Sequence, residues 1–258
     1  MIFDSHMHTE VSADSSMKAA DALKRASELG IGAVFTEHED MNFPGEKDFT
    51  FSPQNYWAKY EALRGEGEHL RLGVELGMQD GLAKKNRAFV EEAPFDQVIG
   101  SIHTIEGHDL YYADIYKDRA KDDLYRLYLE TMAHCVRSQG AFIDILAHID
   151  YIARYAAYSD TELTYAAYGD YIDEVLRALV ETDTVLELNT RRFDAPQGKA
   201  SLVPIFTRYR ELGGKEVTLG SDAHDAAAIG FAFTEAHELA ADLGLAVVTF
   251  LARKKEYC

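Results

Sequence analysis

Ten histidines are spread through this chain, and six of them close short apolar runs. His6 and His8, in MIFDSHMHTE, are two residues apart, so both can point to the same side of an extended segment. His38 ends TEH, Glu75 lies in GVELG, His103 ends GSIH and His148 follows ILA in ILAHID. Asn189 ends LELN, and Asp222 and His224 form a second two-apart pair in GSDAH. A single histidine at a strand end is more often a hydrogen-bonded structural residue than a ligand, and an isolated HxH is weak evidence. The set carries more weight than any member. Six imidazoles and two carboxylates crowded together would be costly in desolvation and charge unless something neutralised them. Divalent ions do so, and a donor set of His and carboxylate suits Zn, Mn or Fe. His69, His134 and His237 fall within or beside helical patterns and read as surface or packing residues. His108, in the loop IEGHD, stands near the expected mouth of the site.

The elements that must position these residues follow from hydropathy. Apolar β-type runs cover Ile2–Ser5, Gly32–Thr36, Leu70–Leu76, Gln97–Ile102, Phe142–Ala147, Thr184–Leu188 and Glu216–Gly220. Between them lie the amphipathic stretches Met17–Leu29, Gln54–Arg64, Gly81–Glu91, Lys121–Ser138, Ala166–Val180 and Leu202–Leu212. Asp14-Ser15-Ser16 offers an N-cap before Met17, Gly30 is placed as a C-terminal glycine, and Ser52-Pro53 and Leu202-Val203-Pro204 read as helix openings. Such alternation means parallel strands joined by crossover helices, an α/β fold, and the apolar strand cores (VIGS, FIDILA, TVLEL) suit strands covered on both faces. In a barrel of this kind the strand C-terminal ends converge on one face. No linker divides the chain, so residues 1–258 are expected to form a single barrel-like domain. Ala246–Leu251, followed by the charged tail Arg253–Glu256, is expected as an extra edge strand, and the long segment Glu39–Pro53 as an active-site loop.

Composition narrows the classes further. With 47% hydrophobic and 27% charged residues, 18 Gly and 5 Pro, the chain of 258 residues is globular. Its net charge of −18 argues against long nucleic acids and anionic membranes, which need clustered Lys and Arg. The apolar runs fall far short of the ~20 residues that span a bilayer, and MIFDSHMHTE, with neither a basic start nor an apolar h-region, leads to the expectation that nothing directs export. Cys135 and Cys258 are not spaced for a metal or a disulfide framework, so a reduced, cytoplasmic protein is expected.

HMHTEVSAD, TEH, GVELG, GSIH, LAHID and GSDAH resemble, in order, the motifs of the PHP (polymerase and histidinol phosphatase) family, from Met1 to about Ile229. The resemblance implies a distorted (β/α)7 TIM-like barrel holding two or three divalent metal ions. It implies His6, His8, Glu75 and Asp222 around the first ion, with Glu75 bridging to a second held by His103 and His148. Asp14, His38 and His224 would hold a third. Asp14 is visible as a ligand only through the resemblance; its local context reads equally as a helix N-cap. Glu75, His103, Asp222 and His224 are implied as the catalytic core. The chain's length and the segments LAHIDYIARY and LELNTRR are similar to the stand-alone histidinol-phosphate phosphatases of the family. They place Arg154, Arg191 or Arg192 near the site, and Arg suits bidentate phosphate recognition.

The implied reaction is hydrolysis of a small-molecule phosphate monoester, L-histidinol phosphate, by a metal-bridging hydroxide that exists at neutral pH because clustered metals lower the pKa of water. Metals and Arg154 would spread the charge on the phosphoryl oxygens. His38, His224, Glu106 or a metal-bound water are candidates to protonate the leaving alkoxide. Glu39, Asp40 and Glu106 are candidates to meet the substrate amine, and Phe43, Tyr111 and Tyr112 its ring. Three rivals are weighed against this reading. An amidohydrolase also opens with HxH, but it commonly uses a modified Lys at a strand end, and none stands there. Another phosphoesterase of the same family would act on phosphotyrosine, nucleotide or oligonucleotide ends. A metal-stabilised interaction module would have no catalysis.

Overall fold

The computed structural model describes residues 1–65 and 69–258. Strands β1 (Phe3–Met7), β2 (Gly32–Glu39), β3 (Leu70–Gly77) and β4 (Gln97–Ser101) are joined by helices α1 (Ala19–Leu29), α2 (Pro53–Tyr60) and α3 (Ala83–Val90). A small hairpin, β5 (Thr104–Ile105) and β6 (His108–Asp109), precedes α4 (Lys121–Gln139) and the short β7 (Ile145–Leu146). Then follow α5 (Tyr151–Tyr155), α6 (Tyr165–Thr182), β8 (Val185–Asn189), α7 (Pro196–Glu211) and β9 (Glu216–Gly220). The chain ends with α8 (Phe233–Asp242), β10 (Ala246–Leu251) and β11 (Lys254–Tyr257).

The sheet order is β1-β2-β3-β4-β7-β8-β9-β10-β11. Within this sheet, among the described residues, neighbours pair in parallel through β10, and β10 and β11 pair antiparallel. The two ends of the parallel array meet at an isolated bridge between Met7 and Ala223. There the His8 N–H donates to Ala223 O at 2.8 Å and the Asp222 N–H to His6 O at 2.8 Å. A curled α/β sheet with so thin a seam is the distorted barrel expected. The distortion has two further sources: β7 is two residues long, and the β1–β2 register shifts between Asp4 and Met7. Irregularities of that kind re-aim side chains next to a site.

Both faces of the sheet are covered, so every residue of β2 and β3 is buried, including Glu37, His38, Glu39, Arg71 and Glu75. Phe35, Tyr56, Tyr60 and Leu72 fill the layer between these strands and α2. Each such side chain contributes about 1.5–3 kcal/mol on burial, which is what fixes the polar residues between them. No helix among the described residues is long and apolar enough to cross a membrane.

Local signals held at most ends. Gly30 closes α1 with φ 68°, and Ser52 Oγ accepts from the Asn55 N–H at 3.2 Å ahead of Pro53. Three differ. The N-cap of α1 is Lys18, without a side-chain bond, so Asp14 is not spent on capping. Helix α7 opens at Pro196 rather than at Pro204, which lies inside it. An internal proline removes one i→i−4 bond, but Leu202, Ile205, Phe206 and Tyr209 bury that face regardless. The charged tail is a strand: Ala252 and Arg253, at φ 48° and 65°, turn β10 back into β11. Arg253 Nη2 donates to Phe142 O at 2.6 Å and its Nε to Asp144 Oδ2 at 2.5 Å, anchoring the turn across the barrel.

Candidate metal centre

The strand ends deliver the expected side chains to one place, in three groups. His6, on the irregular stretch of β1, and His8 just beyond it place Nε2 at 3.3 and 3.4 Å from Glu75 Oε2. They stand 3.8 and 3.4 Å from Asp222 Oδ1. The other Glu75 oxygen, Oε1, faces His103 Nε2 at 3.2 Å and His148 Nε2 at 3.0 Å. Asp14 Oδ2 lies 3.5 Å from His38 Nε2 and 3.1 Å from His224 Nε2. Glu75, in mid-sheet on β3, therefore divides its oxygens between two sets of imidazoles. His38 Nδ1, 3.0 Å from Glu75 Oε2, links the third set to the same carboxylate.

Three of these atoms point inward without a hydrogen-bond partner. His6 Nε2, His8 Nε2 and Glu75 Oε2 are buried and accept or donate no hydrogen bond among the described residues. Orphaned polar atoms aimed at a common point are costly, and divalent ions would satisfy them. Most of the opposite ring nitrogens are held from behind. His6 Nδ1 is 2.7 Å from Glu187 Oε1, His8 Nδ1 3.2 Å from Ser12 Oγ and His103 Nδ1 2.8 Å from Asp40 Oδ1. Metal-binding imidazoles are held in this way, Nδ1 to an acceptor and Nε2 free. The residues therefore fit two or three divalent ions.

The electrostatics of the protein alone agree. Burial would raise the Glu75 carboxyl, but His6, His103 and His38 hold it well below the ordinary range. Burial opposes ionisation of Asp222 as well, and Arg154 and His6 overcome it. Burial lowers His103, yet Asp40 and Glu75 push it up to about 10. His8 goes the other way, to about 3, through burial and the neighbouring His38 and His224. Without metal the cluster keeps its carboxylates anionic and holds protons on some imidazoles in place of cations.

Two arginines reach the rim. Arg154, on α5, donates from Nη1 to Asp222 Oδ2 at 2.6 Å and stands 5.2 Å from the Tyr151 ring centre. Arg191, after β8, donates to Asp222 O at 2.6 Å. Asp222 itself has φ 53°, a left-handed conformation that non-glycine residues adopt only under local constraint. Asp4 supplies that constraint by accepting from the Ser221 N–H at 3.0 Å and the Ser221 hydroxyl at 2.5 Å. Asn189 lies alongside, 3.4 Å from Arg154 Nη2.

The other substrate candidates have protein partners of their own. Arg192 pairs with Asp150 and Glu162, each at 2.6 Å. Glu39 accepts from the Phe51 N–H at 3.0 Å and shapes the loop after β2. Asp40 is buried behind His103 and His38 and faces imidazoles rather than solvent. Glu106 is exposed and pairs with Arg119 at 2.9 Å. Phe43 packs on Phe49, and Phe49 stands against His38. Tyr111 packs on Tyr155, Tyr155 on Tyr151, and Tyr151 on His103 and His148, so an aromatic wall runs outward from the centre. His108 faces Asp114 at 3.5 Å, while His69, His134 and His237 are exposed as expected.

Sequence reasoning missed the layer beneath. Glu187 holds His6, Glu37 accepts from the Thr9 N–H and the Ser12 hydroxyl, and the Ser101 hydroxyl donates to Glu75 Oε1 at 2.6 Å. The available signal was a carboxylate inside an otherwise apolar strand, as in LELN and VFTEH.

A family model described as the PHP domain matches residues 4–191. The chain is 42% identical, over 257 residues and the full length of both, to a protein of Clostridium acetobutylicum named "Probable histidinol-phosphatase". It is 32% identical over 226 residues to the histidinol-phosphatase of Lactococcus lactis subsp. lactis, covering 86% of this chain and 83% of that one. Among solved structures it is similar to the Lactococcus lactis histidinol phosphate phosphatase complexed with zinc, L-histidinol and phosphate. That match has a TM-score of 0.93 and 31% identity, and it covers 99% of this chain and 98% of the other.

Proposed function

This chain belongs to the PHP domain family, and we propose that it is a histidinol-phosphatase, hydrolysing L-histidinol phosphate to L-histidinol and phosphate. One observation carries the proposal: Glu75 divides its oxygens between two imidazole pairs, and Arg154 reaches the Asp222 that completes the set. The names of its relatives supply the substrate. In this reading residues 1–258 work as one phosphoesterase domain.

His6, His8, Glu75 and Asp222 hold one divalent ion, Glu75, His103 and His148 a second, and Asp14, His38 and His224 a third. Zinc, the ion in the similar Lactococcus lactis structure, is the first to try; Mn and Fe suit the same donors. Bound ions supply an activated water and neutralise phosphoryl charge. The chain does the rest. Arg154 and Arg191 converge on Asp222 from two different elements, so a phosphoryl group seated there meets two guanidinium donors in fixed positions. Tyr151, Tyr155 and Tyr111 form the apolar side along which the leaving group lies, shielding the ester from bulk water. Phosphate release from L-histidinol phosphate by protein stripped of metal, then reloaded with zinc, tests the proposal. Activity should vanish on stripping and return on loading.

A further inference from the structure

Two carboxylates outside the ligand set stand beneath it in matching positions. Glu187, on β8, is fully buried; its Oε1 takes the His6 Nδ1 hydrogen bond at 2.7 Å. Its Oε2 accepts from the backbone N–H of His148 at 2.9 Å and from Asn189 Nδ2 at 3.0 Å. Asp40, just past β2, is equally buried; its Oδ1 is 2.8 Å from His103 Nδ1 and its Oδ2 3.2 Å from His38 Nδ1. In each case the neighbouring strand makes room with a glycine. A Cβ on Gly220, at the end of β9, would collide with Glu187 Oε1 and come within 2.7 Å of His6 Cβ. A Cβ on Gly77, at the end of β3, would collide with Asp40 Oδ1 and come within 2.7 Å of its Cγ. The backbone is thus cut to seat a carboxylate in both places, an observation separate from the hydrogen bonds themselves.

We propose that Glu187 and Asp40 are positioning residues that tie the metal sites to one another. Glu187 joins the first set to the second through His6 and His148, and Asp40 joins the second to the third through His103 and His38. This rests on the ligand assignment above. At His6 and His103 a carboxylate accepting from Nδ1 fixes the tautomer, leaves the Nε2 lone pair facing the metal and locks the ring; at His148 Glu187 holds the backbone N–H instead, and at His38 Asp40 acts through charge at 3.2 Å. Because each carboxylate serves residues of two sets, displacing it disturbs two ions at once. Three metal ions are therefore not bound independently.

The test is metal binding, read without substrate. Chelator-stripped protein is titrated with Co²⁺, followed by its visible d–d absorption, and with Zn²⁺ against a chromophoric competitor. Glu187→Gln should weaken two metal equivalents together by ~10–100-fold and alter the cobalt spectrum, since such outer partners matter on that scale. Asp40→Asn should weaken a different pair to a similar extent. Gly220→Ala and Gly77→Ala keep every ligand and both carboxylates, and should act in the same direction as the carboxylate variant each adjoins. Circular dichroism and melting of the stripped proteins identify variants that fold as the parent does, and Glu187→Asp and the glycine variants replace any that do not. A folded variant that binds all equivalents with parental affinity, or loses one equivalent alone, overturns the tie. The substrate proposal would survive that result. A parent chain that binds no divalent ion would overturn the ligand assignment and the tie with it.

Discussion

Asp14 Oδ2 lies 3.1 Å from His224 Nε2, although 210 positions separate the two residues in sequence. The contact joins the loop after the first strand to the loop after the last strand of the barrel proper. Lys18 rather than Asp14 stands at the N-cap of α1, and the proposed role of Asp14 is that of a metal ligand. Asp14→Asn should therefore remove one metal equivalent and, with it, the stability that ion confers on the loaded protein, while helix α1, capped without Asp14, keeps its start. Parallel melting and elemental analysis check both halves. A variant that loses stability and keeps its metal would restore the capping role.

Glu75 sits where a single change reaches two sets. Glu75→Gln and His103→Ala should each lower kcat/KM by at least ~10²-fold, since removing a ligand empties or distorts the site. Steady-state kinetics with metal in excess separates a missing ion from a misplaced one. Near-parental rates in both variants would move the reaction away from this centre.

The two classes of arginine predict opposite phenotypes. Arg154→Ala should cost ~2–4 kcal/mol in kcat/KM, with Arg154→Lys recovering part of it, because the planar fork is lost. Arg192 is nearly enclosed between Asp150 and Glu162. Arg192→Ala should cost stability instead, up to about 3–5 kcal/mol if both carboxylates stay buried and unpaired. Denaturant melts and kinetics on the folded fraction distinguish them.

Metal loading should release protons. In the metal-free protein burial lowers His103 while Asp40 and Glu75 raise it further, to about 10, so it carries a proton at neutral pH. The metal takes the neutral imidazole, so affinity should rise with pH up to about that value, gaining as much as tenfold per unit for each proton displaced. Glu75, Asp222 and Asp14 are held below the ordinary carboxylate range and release nothing near neutrality. Calorimetric titration in two buffers of different ionisation enthalpy counts the protons. At pH ~7 at least one should be released, and a count of zero would contradict the assignment.

The alternation of strands and helices and the inward-facing histidines and carboxylates were legible because they follow from chain-local rules. An apolar run ending in His or Asp places that residue at a strand end whatever the rest of the fold does, and His6 and His8 needed only the alternation of a strand. Asp14 was not legible locally, since its role depends on His38 and His224 arriving from elsewhere, and it became visible only through a family resemblance. The partners of Arg192, Glu39 and Asp40 were not legible for a related reason. A charged residue near a site reads from sequence as available to a ligand, whereas its partners Asp150, Phe51 and His103 come from distant segments. Glu187 was overlooked because a buried carboxylate in a strand has no local explanation until the imidazole it holds is in place.

The substrate claim is tested most directly by kcat/KM for a panel of monoesters under one metal loading. L-Histidinol phosphate offers an imidazole and an amine beyond its phosphate, and binding energy from those remote groups can orient the ester for attack. Two recognised groups, at ~1.5–3 kcal/mol each, give roughly 10²–10⁴-fold preference. L-Histidinol phosphate should therefore exceed a generic aryl phosphate by at least ~10²-fold, even though the aryl group leaves more readily. A nucleotide or phosphotyrosine peptide turned over faster than L-histidinol phosphate would contradict the account.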